Sequence, residues 1–418
     1  MGIWTIQGGN RLYGTIQVQG ARNGVLPILA ACLVHKDISV LERVPRVVDV
    51  DRMLEILVYL GCKVRREGTC VTIDSRYAEP KIIPQNLMEP LRASVLILGA
   101  MSARFGEGRI AMPRHGSIGP RPIDLHLSAL SQLGGTLTLT EDEIICGGKL
   151  VGGHIYFPYP SVGATEQAML AACGCCGMTV LHHCAKDPEI EDLAQYMNRM
   201  GVKIIGAGTD TIQIIPGKYI GTVYHAVIAD RVAAGTLLCA AAACGGKITL
   251  QDINCTHLHP VLDGLEEMGC NIKIREQSVT LQSTGDLWSP SHEIVTGPYP
   301  RFPSDLQPMM LAAALCADGV TVVREHVFAG RLKHARQLRK FGADISIGED
   351  CTAYVTGVDA LHGAYAEARD IRGGAALLVA ALQARGESCV VDAGHISRGY
   401  EFFDATLRQL GAEIEYSD

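Results

Sequence analysis

The sequence predicts an α/β protein of two similar domains, each with helices inside and sheets outside. Three observations predict this. One phrase recurs six times: an apolar helical pattern, a glycine, then a short alternating strand. It reads LEILVYLGCKV, LSALSQLGGTLTL, LAQYMNRMGVKI, LDGLEEMGCNIKI, ARQLRKFGADISI and FDATLRQLGAEIEY. A second phrase alternates with it, an Ala-rich helix that turns at a glycine into a strand, as in DRVAAGTLLCAAAACGGKITL and IRGGAALLVAALQARGESCVV. The composition is aliphatic, with 48% apolar residues but only 5% aromatic ones, as in many α/β proteins.

The first phrase supplies the outer helices, because its helical stretches keep a charged face. Its glycines are Gly61, Gly134, Gly201, Gly269, Gly342 and Gly411. Each stands one place past a helix, where a left-handed backbone is needed before a strand begins. The intervals of about 70 residues mark a repeat architecture. The second phrase supplies the inner helices. They are apolar nearly all round, so they are expected to be buried. Three repeats make each domain, one at 21–229 and the other at 1–20 plus 230–418.

Charge and hydropathy exclude some functions. A net charge of −7 gives no basic field for nucleic acid, so an anionic ligand needs a local cluster of cations. No apolar run reaches the roughly 20 residues of a membrane helix. The N-terminus MGIWTIQGGNRL has no signal-peptide core. Fifteen cysteines in apolar segments read as small buried hydrophobes in a reducing cytoplasm. Cys173, Cys175, Cys176, His182, His183 and Cys184 lie close together, but their spacing fits no common zinc site, so no metal is expected.

The inner helices share polar groups at their N-terminal ends: Arg22 and Asn23, Arg92, Thr165, Asp230 and Arg231, Asp305, and Arg372. Helix N-termini suit phosphate and carboxylate. A lone arginine there is usually a solvated surface residue. Recurrence at matching repeat positions, in segments poor in charge, argues for anion binding. Arg331 in GRLKH and Arg398 in SRGYE join the set.

These residues carry a resemblance. GARNGVLPILAA, LRASVLILG, SIGPRPIDLH, SVGAT, FPSDLQ, DIRGGAALLVA and SRGYE make the whole chain resemble the UDP-N-acetylglucosamine 1-carboxyvinyltransferase (enolpyruvyl transferase) family. The resemblance implies a two-domain inside-out α/β barrel with substrates held between the domains. It implies a cytoplasmic transferase acting in the first committed step of peptidoglycan synthesis, hence in cell wall biogenesis and cell shape. Phosphoenolpyruvate would be gripped by Arg22, Arg121 and Arg398. UDP-N-acetylglucosamine would contact Asn23, Arg92, Arg121, Pro122, Ile123, Asp124, Leu125, Ser161, Val162, Gly163, Asp305 and Val327, with Arg331 and Arg372 as further cations. Asp305 matches the residue that takes the proton from the sugar 3-hydroxyl. Neither metal nor organic cofactor is implied, and nothing fixes the oligomeric state.

The chain also departs from that pattern. Gly116 stands where the family places a cysteine, sometimes an aspartate, associated with protonation at C3 of phosphoenolpyruvate. His115 is the nearest titratable side chain and is the expected substitute acid. Arg22, Val48 and Tyr159 stand where lysines are expected, Ala233 replaces a glutamate, and Ala329 and Gly330 replace a Glu-Asn pair. Two alternatives follow: transfer to another nucleotide acceptor, or a non-catalytic UDP-sugar-binding paralogue.

Overall fold

The computed structural model describes residues 2–89, 91–113 and 123–417. Packing divides them into two compact units. One holds residues 20–113 and 123–228; the other holds 2–19 and 229–417.

The first unit has three inner helices, Arg22–His35, Leu96–Phe105 and Val162–Ala172. All three pack on one another. Their apolar residues are almost wholly buried, from Val25 to Val34 and again from Ala168 to Ala172. Each buried Leu, Ile or Val contributes about 1.5–3 kcal/mol, so these helices are held by their surroundings and not by propensity. The outer helices Val48–Tyr59, Asp124–Gln132 and Pro188–Arg199 keep one polar side.

One sheet pattern repeats around this core. Val223–Ala226 pairs in parallel with Ile38–Glu42, which pairs antiparallel with Cys70–Asp74, and that with Lys63–Glu67. Gly153–Tyr156, Thr179–His182, Thr211–Ile215 and Lys203–Ile205 follow the same order and directions. In the third sheet Gly108–Ala111, Glu143–Gly147 and Thr136–Leu139 are joined by a single parallel bridge from Ile83 to Ile110, where the others have a full strand.

The second unit repeats this plan. Its inner helices are Arg231–Cys244, Gln307–Ala313 and Ile371–Gln383. Thirteen of the fourteen residues Arg231–Cys244 are buried, every one but Cys244. Its three sheets are four-stranded. In the last, the antiparallel strand that should follow Glu413–Ser417 comes instead from the N-terminus. Gly2–Gln7 lies between Glu387–Asp392 and Glu413–Ser417, antiparallel to both. The sixth repeat is thus completed by the beginning of the chain.

The six repeat glycines all take positive φ, from 89° at Gly342 to 105° at Gly201. This is the left-handed turn expected from the recurring phrase. The phrase ARQLRKF differs from the others: its helix is only Ala335–Leu338, flanked by 3-10 turns Arg331–His334 and Arg339–Phe341. Among the described residues, no helix is long and apolar enough to cross a membrane.

Candidate active site

The polar groups gather near the N-terminal ends of the inner helices, in one group in the second unit and two in the first. In the second unit the centre is Asp305. Arg331 Nη2 donates to its Oδ1 at 2.7 Å, and Arg372 Nη2 donates to its Oδ2 at 2.9 Å. Both guanidiniums are nearly buried, with side chains 3% and 6% exposed, while the Asp305 side chain is 29% exposed. Two cations therefore orient one carboxylate that still reaches solvent.

The sequence places these groups for local reasons. Asp370 caps the helix Ile371–Gln383, accepting from the backbone N–H of Arg372 and Gly373 at 3.0 Å each. This fixes Arg372 in the first turn. Its guanidinium lies 6.0 Å from the centre of the Tyr400 ring. Burial works against the charge on Arg372, but Asp305, Tyr400 and Asp230 outweigh it and hold the group above its ordinary value. Burial likewise pushes the Tyr400 phenol up. Asp230 caps the helix Arg231–Cys244, accepting from Val232 and Ala233 at 2.9 and 3.0 Å.

Asp305 is not at the helix start itself. The helix begins at Gln307, with Leu306 at the cap position and no side-chain cap. Neither Asp305 nor Ser304 serves as a cap; both bond to Arg331 instead. Val327 lies in the loop after the strand Val320–Arg324. Arg398 ends the turn Ile396–Arg398, which is pinned by Asp392 accepting from the N–H groups of His395 and Ile396 at 2.7 and 3.0 Å.

In the first unit Arg22 opens the helix Arg22–His35. It makes a two-pronged pair with the buried Asp49, Nε lying 2.8 Å from Oδ2 and Nη2 also on that oxygen. Nη1 donates to Asn23 Oδ1 at 2.8 Å. Arg22 and Asn23 are thus brought together and held in place. Asp49, in the first turn of Val48–Tyr59, was missed by sequence reasoning. Its signal was the VDVD pattern at a helix start.

A second group in this unit joins Arg92, Asp124, His126 and Gly163. Burial and then Arg92 lower the His126 pKa to about 4, against the pull of Asp124. A Cβ on Gly163 would lie 2.5 Å from His126 Nε2, so only glycine lets the helix Val162–Ala172 approach this ring. Ser161 caps that helix through Ala164 N–H at 3.4 Å. Thr165 does not present its hydroxyl at the end: it donates to Ser161 O at 2.8 Å and accepts from Ala185 N–H at 3.2 Å. Ile123 and Leu125 flank Asp124 at the start of Asp124–Gln132, and Val162 opens its own helix. His115, Arg121 and Pro122 lie outside the described residues, as does Gly116.

The cysteines are free thiols. Burial pushes Cys184 up to about 12 and also raises Cys173 and Cys175, which suits packing and opposes thiolate chemistry. No three His, Cys, Asp or Glu side chains converge as metal ligands among the described residues.

The chain is similar to known proteins along its length. The profile of the EPSP synthase (3-phosphoshikimate 1-carboxyvinyltransferase) family matches residues 6–407. The chain is 43% identical over 415 residues to UDP-N-acetylglucosamine 1-carboxyvinyltransferase 2 of Caldanaerobacter subterraneus subsp. tengcongensis, covering 99% of each chain. Among solved structures, the enolpyruvyl transferase NikO of Streptomyces tendae is similar with a TM-score of 0.90 and 25% identity, covering 100% of this chain and 99% of that one. EPSP synthase of Acinetobacter baumannii shares the fold with a TM-score of 0.74 at 19% identity, each chain covered in full. The family match and the full-length relatives thus define a carboxyvinyl-transferring enzyme. The chain belongs to the EPSP synthase/enolpyruvyl transferase family.

Proposed function

We propose that the chain transfers the enolpyruvyl group of phosphoenolpyruvate to the 3-hydroxyl of UDP-N-acetylglucosamine and releases phosphate. The observation that carries this is Asp305, oriented between Arg331 and Arg372. The full-length similarity to carboxyvinyltransferases supports it.

The reaction adds an alcohol across a double bond and then eliminates. Asp305 takes the proton as the sugar oxygen bonds to C2. An acid delivers a proton to C3. Phosphate then leaves C2, a C3 proton is lost, and the enol ether forms. A general base and a general acid each contribute about 10²–10⁴-fold. We assign the acid to His115, since the neighbouring Gly116 has no side chain to serve. Phosphoenolpyruvate carries a phosphate and a carboxylate and needs planar guanidinium partners. Arg22, Arg121 and Arg398 take that role. The domain bounds that go with this reading are 21–229 and 1–20 plus 230–418. The fifteen free thiols suit a reducing cytoplasm.

A second reading, transfer to another nucleotide acceptor, rests on Tyr159. It stands, half exposed, beside the Ser161 cap at a place where the family pattern has a lysine. Phosphate release from phosphoenolpyruvate separates the readings. Release that depends on UDP-N-acetylglucosamine supports the first. Release only with other UDP-sugars supports the second. None with any acceptor, despite UDP-sugar binding, makes the chain a binding paralogue.

A further inference from the structure

Glu325 is a buried carboxylate that the reaction does not use. It follows the strand Val320–Arg324 and is 3% exposed. Among the described residues its side-chain partners are two backbone N–H groups and one hydroxyl. Oε1 accepts from Val327 N–H at 2.8 Å and Phe328 N–H at 3.0 Å. Both of its oxygens lie 3.0 Å from Ser304 Oγ. A buried carboxylate is tolerated when charge-assisted hydrogen bonds satisfy it in this way.

The hydroxyl of Ser304 has one proton and two lone pairs. Its proton goes to Glu325, so its lone pairs must accept. Arg331 Nε fills one of them at 3.2 Å. The other end of the same guanidinium, Nη2, holds Asp305 at 2.7 Å. A guanidinium is planar, so fixing Nε fixes the direction of Nη2. The same Glu325 oxygen folds the turn that carries Val327 and Phe328, and the Phe328 ring centre lies 5.0 Å from the Arg331 guanidinium.

We infer that Glu325 is a positioning residue: it sets the direction of the Ser304 hydroxyl and, through it, the Arg331 plane that orients Asp305. Its catalytic consequence rests on the reading of Asp305 as the base.

Glu325→Gln tests this. The amide can still accept from the Val327 turn. Its NH₂ presents a donor toward Ser304 and competes with Arg331 Nε for the same lone pairs. A displacement of Asp305 by about 1 Å lowers kcat by up to about 10²-fold. KM for phosphoenolpyruvate should stay within about threefold, as expected for an interaction felt in the transition state. Ser304→Ala should cost as much alone, and should add less than about threefold on top of Glu325→Gln, because the two act in one chain. Additive losses, a wild-type kcat in Glu325→Gln, or a loss confined to KM overturns the inference. If the wild-type chain releases no phosphate with any acceptor, the function fails separately. The crystal structure of Glu325→Gln then decides: Arg331 turned away from Asp305 supports the positioning role, and an unchanged Arg331–Asp305 pair refutes it.

Discussion

Arg372 donates from Nη2 to Oδ2 of Asp305 at 2.9 Å, across 67 residues of sequence, from a helix start where Asp370 has already fixed its backbone. The pair joins two inner helices of one unit through their N-terminal ends. It orients a carboxylate whose other oxygen belongs to Arg331. Neither cation is exposed enough to be satisfied by water alone.

Asp305→Asn is therefore expected to lose turnover by about 10²–10⁴-fold, the range for a general base. It should also lower the melting temperature, because it removes the negative partner of two nearly buried guanidiniums. Asp305→Ala should be less stable still. Steady-state phosphate release and thermal melts check this together. Full stability with lost activity would show that the pairing contributes nothing to the fold; retained activity would remove Asp305 from the chemistry.

Gly163→Ala should weaken UDP-sugar binding by about fivefold or more, since overpacking by one methyl typically costs about 1–3 kcal/mol. The added carbon would meet His126 Nε2 at 2.5 Å. Shrinking that ring in Gly163→Ala/His126→Ala should recover part of the affinity. Calorimetric titration with the UDP-sugar measures both. No recovery would place the effect of Gly163 elsewhere.

Stability should fall as the solution is made acidic, through two buried histidines. His126 and His334 are both lowered to about 4, burial being the first cause for each. Their folded values lie below the unfolded one, so the unfolded chain binds more protons. The contribution is complete above about pH 6.5 and is lost between about pH 6.5 and 4, at up to about 1.4 kcal/mol per pH unit for each. Urea unfolding across that range should show the slope, and His126→Gln or His334→Gln should flatten it. A wild-type slope in both variants would mean that neither ring stays neutral in the fold.

His115→Ala should slow turnover by about 10²–10⁴-fold, and Gly116→Cys should raise the rate while making the enzyme sensitive to thiol alkylation. An unperturbed imidazole titrates near pH ~6.5, suited to an acid at neutral pH. Full activity in His115→Ala would exclude it as the acid.

Much of the fold was legible because its punctuation is chemical. A glycine past each outer helix takes positive φ in all six repeats, and Ala-rich segments disclose the buried helices without any partner being known. The site was legible only as far as single residues go. Arg22, Arg331, Arg372 and Asp305 could be named, but their arrangement could not. Asp49 and Glu325 hold them from 27 and 21 residues away from Arg22 and Ser304, through side-chain contacts that no periodicity encodes. The pairing of the N-terminal strand was hidden for the same reason, although residues 1–20 were assigned to the domain at 230–418. WTI alternates as a strand should, but its neighbours are at the far end of the chain.

The proposed transfer makes one new bond, between the sugar 3-oxygen and C2 of the pyruvyl unit. Proton nuclear magnetic resonance of the wild-type chain with phosphoenolpyruvate and UDP-N-acetylglucosamine observes it directly. New vinyl signals from an enol ether at the 3-position are expected, rising in step with inorganic phosphate, and absent with Asp305→Asn. Phosphoenolpyruvate left unchanged beside bound UDP-sugar, or phosphate formed with pyruvate and no sugar ether, would contradict it.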